Sequence, residues 1–362
     1  MDSRAAISCA MAFALGAMSL LPVTPSAPGD DRAAAPRWEK LPALPDREGF
    51  AGSFAGESGG VLIVAGGANF PDKRPWQGGA KRWYDSAFAL EGPDARWRSG
   101  FRLPRPIAYG VSVTTPRGVL CIGGGDARQH YRDVFLLRWT GATITTTAMP
   151  PLPGPCAFMC GAAVGDVVYV VGGIETPDAT ACLNTLRTID PSQAQPRWRE
   201  LEPLPGPARI LAVAGAARGG LFIFSGAALS AGADGKPVRE YLRDAWRYAP
   251  DRGWKRLAEM PRPAVAAPSP APLLAGDRLL VVSGDDGARL GFKPETQHPG
   301  FPRDVLAYDV AADAWSRAGE APFSLATAPI APWRDRVVIA GGEERPGYRS
   351  PGVWAFQAAG RP

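Results

Sequence analysis

The 362-residue sequence carries 40 basic and 35 acidic residues, a formal charge of +5, with 43 glycines and 38 prolines. Its lysines and arginines are scattered rather than gathered into a run, which argues against a nucleic-acid partner. The glycine and proline content excludes a protein of long helices and points to many short strands and turns, with eleven tryptophans to fill a core.

The first predicted element is a targeting segment. Arg4 precedes an apolar run from Ala5 to Leu21, followed by Pro22, Pro25 and small residues. The run is short for a membrane span of about 20 apolar residues and has no stop-transfer flank. Residues 1–27 are read as a signal peptide, with cleavage between 24 and 36. The expectation is an exported chain, periplasmic or secreted, with no membrane association. Four cysteines follow, Cys121, Cys156, Cys160 and Cys182. Their spacing assigns no partners, so disulfides and buried thiols both stay open.

Next comes "RWEKLPALP", Arg37 to Pro45, and then a unit that recurs six times. Each unit has an apolar strand, a turn, a second strand ending in a small doublet, a loop and a third strand. The second strands read "GGVLIVAGG", "RGVLCIGG", "GDVVYVVGG", "GGLFIFSG", "GDRLLVVSG" and "RDRVVIAGG". Their doublets begin at Gly66, Gly123, Gly172, Ser225, Ser283 and Gly341, about 55 residues apart on average. Four units then close with a tryptophan and a Leu/Pro exit, at Trp97, Trp198, Trp254 and Trp315, while the second has the less regular "ATITTTAMPPLP". The tryptophans read as wedges between units.

This pattern resembles the kelch repeat, whose unit is a four-stranded propeller blade. The sixth unit stops after its third strand, and "RWEKLPALP" at the other end has the missing fourth-strand pattern. The predicted fold is therefore all-β: one six-bladed kelch-type β-propeller over residues 37–358, closed by an N-terminal strand completing the last blade. That closure removes an exposed sheet edge.

Because strands alternate in direction, loops between strands two and three share a face with the connections from one blade to the next. Unusual chemistry gathers on that face: Arg47, Asn69, Lys81, Arg82, Tyr84, Arg105, Tyr109, Asp126, His130, Glu343 and Arg349. The last of these loops, "GGEERPGYR", has a carboxylate six residues ahead of an arginine. Its remaining charges, Glu344 and Arg345, read as ordinary surface residues.

At "EGFAGSFAGESGGVLIVAGGANF", "GGAKRWYDSAFAL" and "AYGVSV" the chain resembles two consecutive blades of the bacterial N-acetylneuraminate epimerase family. "GGEERPGYR" resembles that family's catalytic loop, which carries Gly-Glu followed by Pro-Gly-x-Arg. The loop comes last here, so the chain looks like a cyclically permuted form of that mutarotase family. The resemblance implies that Glu343 is the catalytic base and Arg349 its paired arginine and a clamp for the substrate carboxylate. It implies substrate binding by Lys81, Arg82, Tyr84 and Tyr109, to which the same face adds Arg105, Asn69, Arg47 and His130. Two departures stand out. Ile107 replaces an arginine before "AYG", with Arg105 as a substitute, and Gly125 stands where the family can carry glutamate.

The implied activity is cofactor-independent mutarotation of N-acetylneuraminic acid or a related acidic sugar, with no metal. A general base suits ring opening, and an arginine fork suits a sugar carboxylate. A non-catalytic kelch module binding a glycan or protein is the alternative, and a homodimer stays open. A copper oxidase would need two histidines and two tyrosines, whereas the only histidines are His130 and His298 in different repeats. No phosphate-loop or dinucleotide motif is present.

Overall fold

Six four-stranded antiparallel sheets follow one another along the chain and form the blades of a β-propeller. The structure, a computed structural model, describes residues 35–357. The proposed signal segment and residue 358 of the expected domain lie outside the described residues. Blade one, Phe54–Ser58, Val61–Ala65, Ser86–Leu90 and Arg98–Arg102, sets the pattern for the rest. Its second strand is buried along its whole length, as expected of a strand covered by blades on both faces.

Blade six uses Ile330–Trp333, Arg336–Ala340 and Val353–Gln357, and its fourth strand is Glu39–Leu41. Lys40 lies opposite Trp354, and Leu41 opposite Val353. The expected closure by the N-terminal strand is thus observed. Leu41 and Leu44 are buried in the cluster that joins blade six to blade one.

The tryptophans hold neighbouring blades together. Trp97, Trp198, Trp254 and Trp315 each donate an indole N–H to the fourth-strand exit of the preceding blade, at Pro42, Pro150, Glu202 and Ala258, over 2.8–2.9 Å. Trp38 does the same to Glu320 at 3.2 Å. Blade two, lacking this tryptophan, packs Ile144 onto the buried cluster it shares with blade one, alongside Phe101 and Trp139.

Each doublet adopts left-handed backbone, from Gly66 (φ 68°) to Gly342 (φ 107°). A Cβ at Gly66 would lie 2.5 Å from the Ile107 carbonyl oxygen, so glycine is required there. Serine takes the first position in blades four and five. Ser225 Oγ donates to Leu242 O and accepts from Ala264 N, and Ser283 Oγ accepts from Leu325 N. These bonds offset the conformational cost of a side chain at positive φ.

The axis is lined by a closed ring of backbone hydrogen bonds. Gly52 N donates to Thr327 O, Tyr109 to Gly52, Phe158 to Tyr109, Leu211 to Phe158, Ala266 to Leu211 and Thr327 to Ala266, all at 2.6–2.8 Å or 2.9 Å. Each blade contributes one residue, and all six have positive φ. Five are not glycine, at a cost of roughly 1 kcal/mol or more each. Six hydrogen bonds return about 1 kcal/mol each. The ring is close to neutral in energy, and its contribution is geometric: it fixes six side chains around one opening. Gly52 is the exception because a Cβ there would meet the Tyr109 ring at 2.5 Å.

All four cysteines are free, so no disulfide forms among the described residues. Burial pushes the thiols of Cys156 and Cys160 up to about 12, against smaller lowering by nearby arginines. They are packing groups rather than nucleophiles.

Candidate active site

A cavity of about 290 Å3 lies above the ring, on the face formed by the loops between strands two and three. Glu343, Arg349, Lys81 and Tyr109 line it, together with Arg239 and Asp285. A smaller axial cavity of about 80 Å3 lies on the other side of the ring and shares Tyr109, Phe158 and Leu211 as its rim.

Glu343 owes its position to the repeat. In every blade the residue after the doublet bridges the residue that precedes the ring member: Ala68 with Ala51, Gly125 with Ala108, Ile174 with Ala157, Ala227 with Ile210, Asp285 with Val265, and Glu343 with Ala326. Only blades five and six put a carboxylate at this position. Beyond it, Glu343–Arg345 and Tyr348–Arg349 form a small hairpin that pairs Glu343 with Arg349.

Arg349 forms an ion pair through Nη1 with Glu343 Oε1. The same oxygen accepts the Gly347 backbone N–H at 2.8 Å, which leaves Oε2 free of both partners. The guanidinium side chain is 4% exposed and the carboxylate 19%. Burial alone would lower the basicity of Arg349, but the facing Glu343 carboxylate and the Tyr109 hydroxyl together more than offset it, so its cation is held more firmly than usual. Its buried Nε has no hydrogen-bond partner among the described residues. A buried cation thus orients the carboxylate of a cavity-lining residue, whose Oε2 takes part in neither contact.

The first-blade loop holds this hairpin from above. Arg74 pairs with Glu48 at 2.6 Å and lies 4.4 Å from the Tyr348 ring centroid, and Trp76 packs on Tyr348 at 5.6 Å. Blade closure therefore seats the last loop against the first. Arg345 departs from the sequence expectation of an ordinary surface charge. It stacks on Tyr348 at 4.0 Å and donates to the carbonyls of Thr296 and His298 in blade five.

The remaining candidates divide. The Lys81 ammonium sits 5.2–5.7 Å from the ring centroids of Phe70, Trp83 and Tyr109 and borders the cavity. Tyr109 is a ring member stacked on Phe158. The other six stand outside the cavity lining. Arg82 is exposed and 3.8 Å from Asp72, and Arg47 is exposed. Buried Asn69 donates to Gly49 O and Asp46 Oδ1 and accepts from the Tyr84 hydroxyl, so both residues brace the connection beneath. Arg105 lies 3.3 Å from Asp133 and over Tyr131. It does not reach the cavity in place of Ile107, which is buried in the core. A side chain at Gly125 would meet His130 Cδ2 at 2.4 Å, which accounts for that departure too.

His130 is buried, and its Nδ1–H donates to Ile174 O at 3.0 Å. Burial lowers its pKa, only partly offset by that bond and by Asp126. His298 is lowered by burial and then by Arg289, and its Nδ1 accepts the Gly300 N–H. The two histidines should therefore be opposite neutral tautomers, both titrating below the usual ~6.5. The unfolded imidazoles take up protons first, so stability should fall as pH drops from about 6.5 through the folded values. NMR titration of the two imidazoles checks this, and a midpoint at or above 6.5 for His130 contradicts it.

Arg239 and Asp285 are cavity residues that the sequence reading did not single out. Asp285 was legible from the repeat, since it follows its doublet as Glu343 does. Arg239 had no such signal, because it lies on the second strand of a hairpin, Ala227–Ala231 with Pro237–Tyr241, longer than the hairpins that follow the doublets of blades one and six.

The fold and cavity define a class: a six-bladed propeller with an arginine-braced carboxylate at its axial mouth. The family model for N-acetylneuraminate epimerase matches residues 29–146, and over that stretch the chain resembles that family. The N-acetylneuraminate epimerase of Brucella suis is 38% identical over 130 residues, 32% of this chain and 33% of that protein. That of Vibrio cholerae is 35% identical over 128 residues, 30% of this chain and 32% of its own. The matches thus span about a third of the length of these relatives. The family-model match includes Lys81 and Tyr109, whereas Glu343 and Arg349 lie beyond its end at residue 146. A solved structure titled "Structure of YjhT" aligns with a TM-score of 0.63 at 16% identity, over 86% of this chain and 95% of that one, which establishes the shared fold.

Proposed function

We propose that this chain is a cofactor-independent mutarotase, an isomerase that interconverts the α and β anomers of N-acetylneuraminic acid or a related acidic sugar. The carrying observation is the Glu343 carboxylate, braced by buried Arg349 and presented at the mouth of the propeller. The similarity of residues 29–146 to the epimerases supports the substrate class. The cyclic permutation belongs to this reading, as does export through the N-terminal segment.

In the opening step the anomeric hydroxyl gives its proton to Glu343 Oε2. The bond from the anomeric carbon to the ring oxygen breaks, and that oxygen takes a proton from solvent in the open cavity. Rotation of the carbonyl and reclosure on the other face reverse both transfers. In this reading Arg349 acts as a positioning residue that keeps the carboxylate aimed, a role supported by its ion pair with Glu343.

The test follows the anomers by proton NMR after sialidase release of a single anomer. Wild-type protein should shorten the relaxation well below the protein-free time. Relaxation equal to the protein-free control would end the mutarotase reading and leave a binding module.

A further inference from the structure

An acidic sugar brings a carboxylate that needs its own cation, and Arg349, 4% exposed, already faces the Glu343 charge. Three cations border the cavity, Lys81, Arg239 and Arg349, against two carboxylates, Glu343 and Asp285. The Lys81 ammonium is held among three aromatic rings as a point charge. Arg239 is exposed, and among the described residues it forms no ion pair.

Its hairpin is built to hold it there. Arg239 lies opposite Leu229, and Tyr241 opposite Ala227, so the two-residue period puts Arg239 and Tyr241 on one face. Leu229 and Tyr241 pack against the cluster of Ile210, Ala227 and Val265 beside the axis. The Tyr241 hydroxyl donates to Asp285 Oδ2 at 2.7 Å, which ties the hairpin to blade five. On the opposite face Val238 is 53% exposed. The hairpin thus anchors one planar guanidinium fork at the cavity without spending it on a protein carboxylate. Such a fork matches a carboxylate in two parallel hydrogen bonds, which an ammonium cannot do.

We infer that Arg239 receives the substrate carboxylate and sets the preference for an acidic over a neutral sugar. The inference rests on the mutarotase reading and deepens it by naming the selecting cation. The experiment compares exchange kinetics on N-acetylneuraminic acid and on its methyl ester, which keeps the ring but lacks the charge. Wild type, Arg239→Met, Arg239→Lys and Lys81→Met are measured, with melting temperatures as the folding control. Arg239→Met should raise KM for the acid roughly ten- to hundredfold while kcat moves less. The acid-to-ester ratio of kcat/KM should collapse toward unity, with Arg239→Lys intermediate and Lys81→Met retaining the ratio.

An unchanged ratio in folded Arg239→Met, or a collapse in Lys81→Met instead, overturns the inference and leaves the mutarotase reading intact. If wild type accelerates neither compound, that reading falls, and the same ratio is read from binding by ligand-observed NMR. Acid and ester binding the wild type equally would then reject Arg239 as well.

Discussion

Glu343→Gln is expected to lower the acceleration of anomer exchange by about 10²–10⁴-fold, the usual contribution of a positioned general base. The substitution keeps the shape of the side chain and an oxygen able to accept the Gly347 N–H. It removes the charge that faces Arg349, a guanidinium side chain only 4% exposed. A buried cation left without its counter-ion is destabilising, so the melting temperature should also fall. The two effects are separated by measuring exchange well below the melting transition and by adding Glu343→Asp. Aspartate retains the charge and stability but draws the carboxylate back by one methylene, so it should recover folding more than rate. Wild-type rates in folded Glu343→Gln would remove Glu343 as the base even if the protein remained an active mutarotase.

Arg209→Met should cost about 3–5 kcal/mol of stability, the usual result of stripping one partner from a buried ion pair. The Arg209 side chain is fully buried and grips Asp244 with two hydrogen bonds, at 2.8 and 2.7 Å. It also donates to the carbonyls of Ser225 and Pro207, which would lose their partners. Burial by itself pushes the Asp244 carboxyl up, but Arg209, aided by Trp246, more than offsets it and holds the group below its usual range. In wild type the pair therefore contributes stability above the unfolded carboxyl value of about 3.9. That contribution is lost as pH falls through the lower folded value. In Arg209→Met burial acts without its main opponent, and the carboxyl should rise instead. The gap between the two proteins should be wide at pH 7 and should narrow toward pH 4. Denaturant midpoints at several pH values measure it, and a gap below about 1 kcal/mol or one flat with pH would contradict the burial account.

Much of the fold was legible because a propeller writes its architecture into the chain six times. The doublets mark the ends of second strands, since the left-handed turn there excludes most side chains. The tryptophans and "RWEKLPALP" identified the blade wedges and the closing strand. The ring of backbone hydrogen bonds was not legible. Its members are Gly52, Tyr109, Phe158, Leu211, Ala266 and Thr327, with no shared side-chain chemistry, because the interaction is made by the backbone.

The site was legible in part for the same reason. Glu343 and Arg349 share one loop, so local sequence could pair them. Lys81 and Tyr109 reach the same cavity from blades one and two. Asn69, Tyr84, Arg105 and His130 lie on the expected face but turn to partners in the frame, at distances set by neighbouring blades. Face membership follows from strand alternation, whereas side-chain direction depends on which neighbour is within reach.

By itself the sequence determined the six-fold repeat, its closure and the loop that carries a carboxylate ahead of an arginine. These are properties of local backbone preference and apolar spacing, repeated along one chain. Only the tertiary structure decided that Arg349 is buried against Glu343 and that Arg239 from blade four borders the same cavity. The physical reason is that Arg349 is covered by residues such as Phe70 of blade one, and Arg239 meets Glu343 at one cavity, across more than a hundred positions that only ring closure brings together.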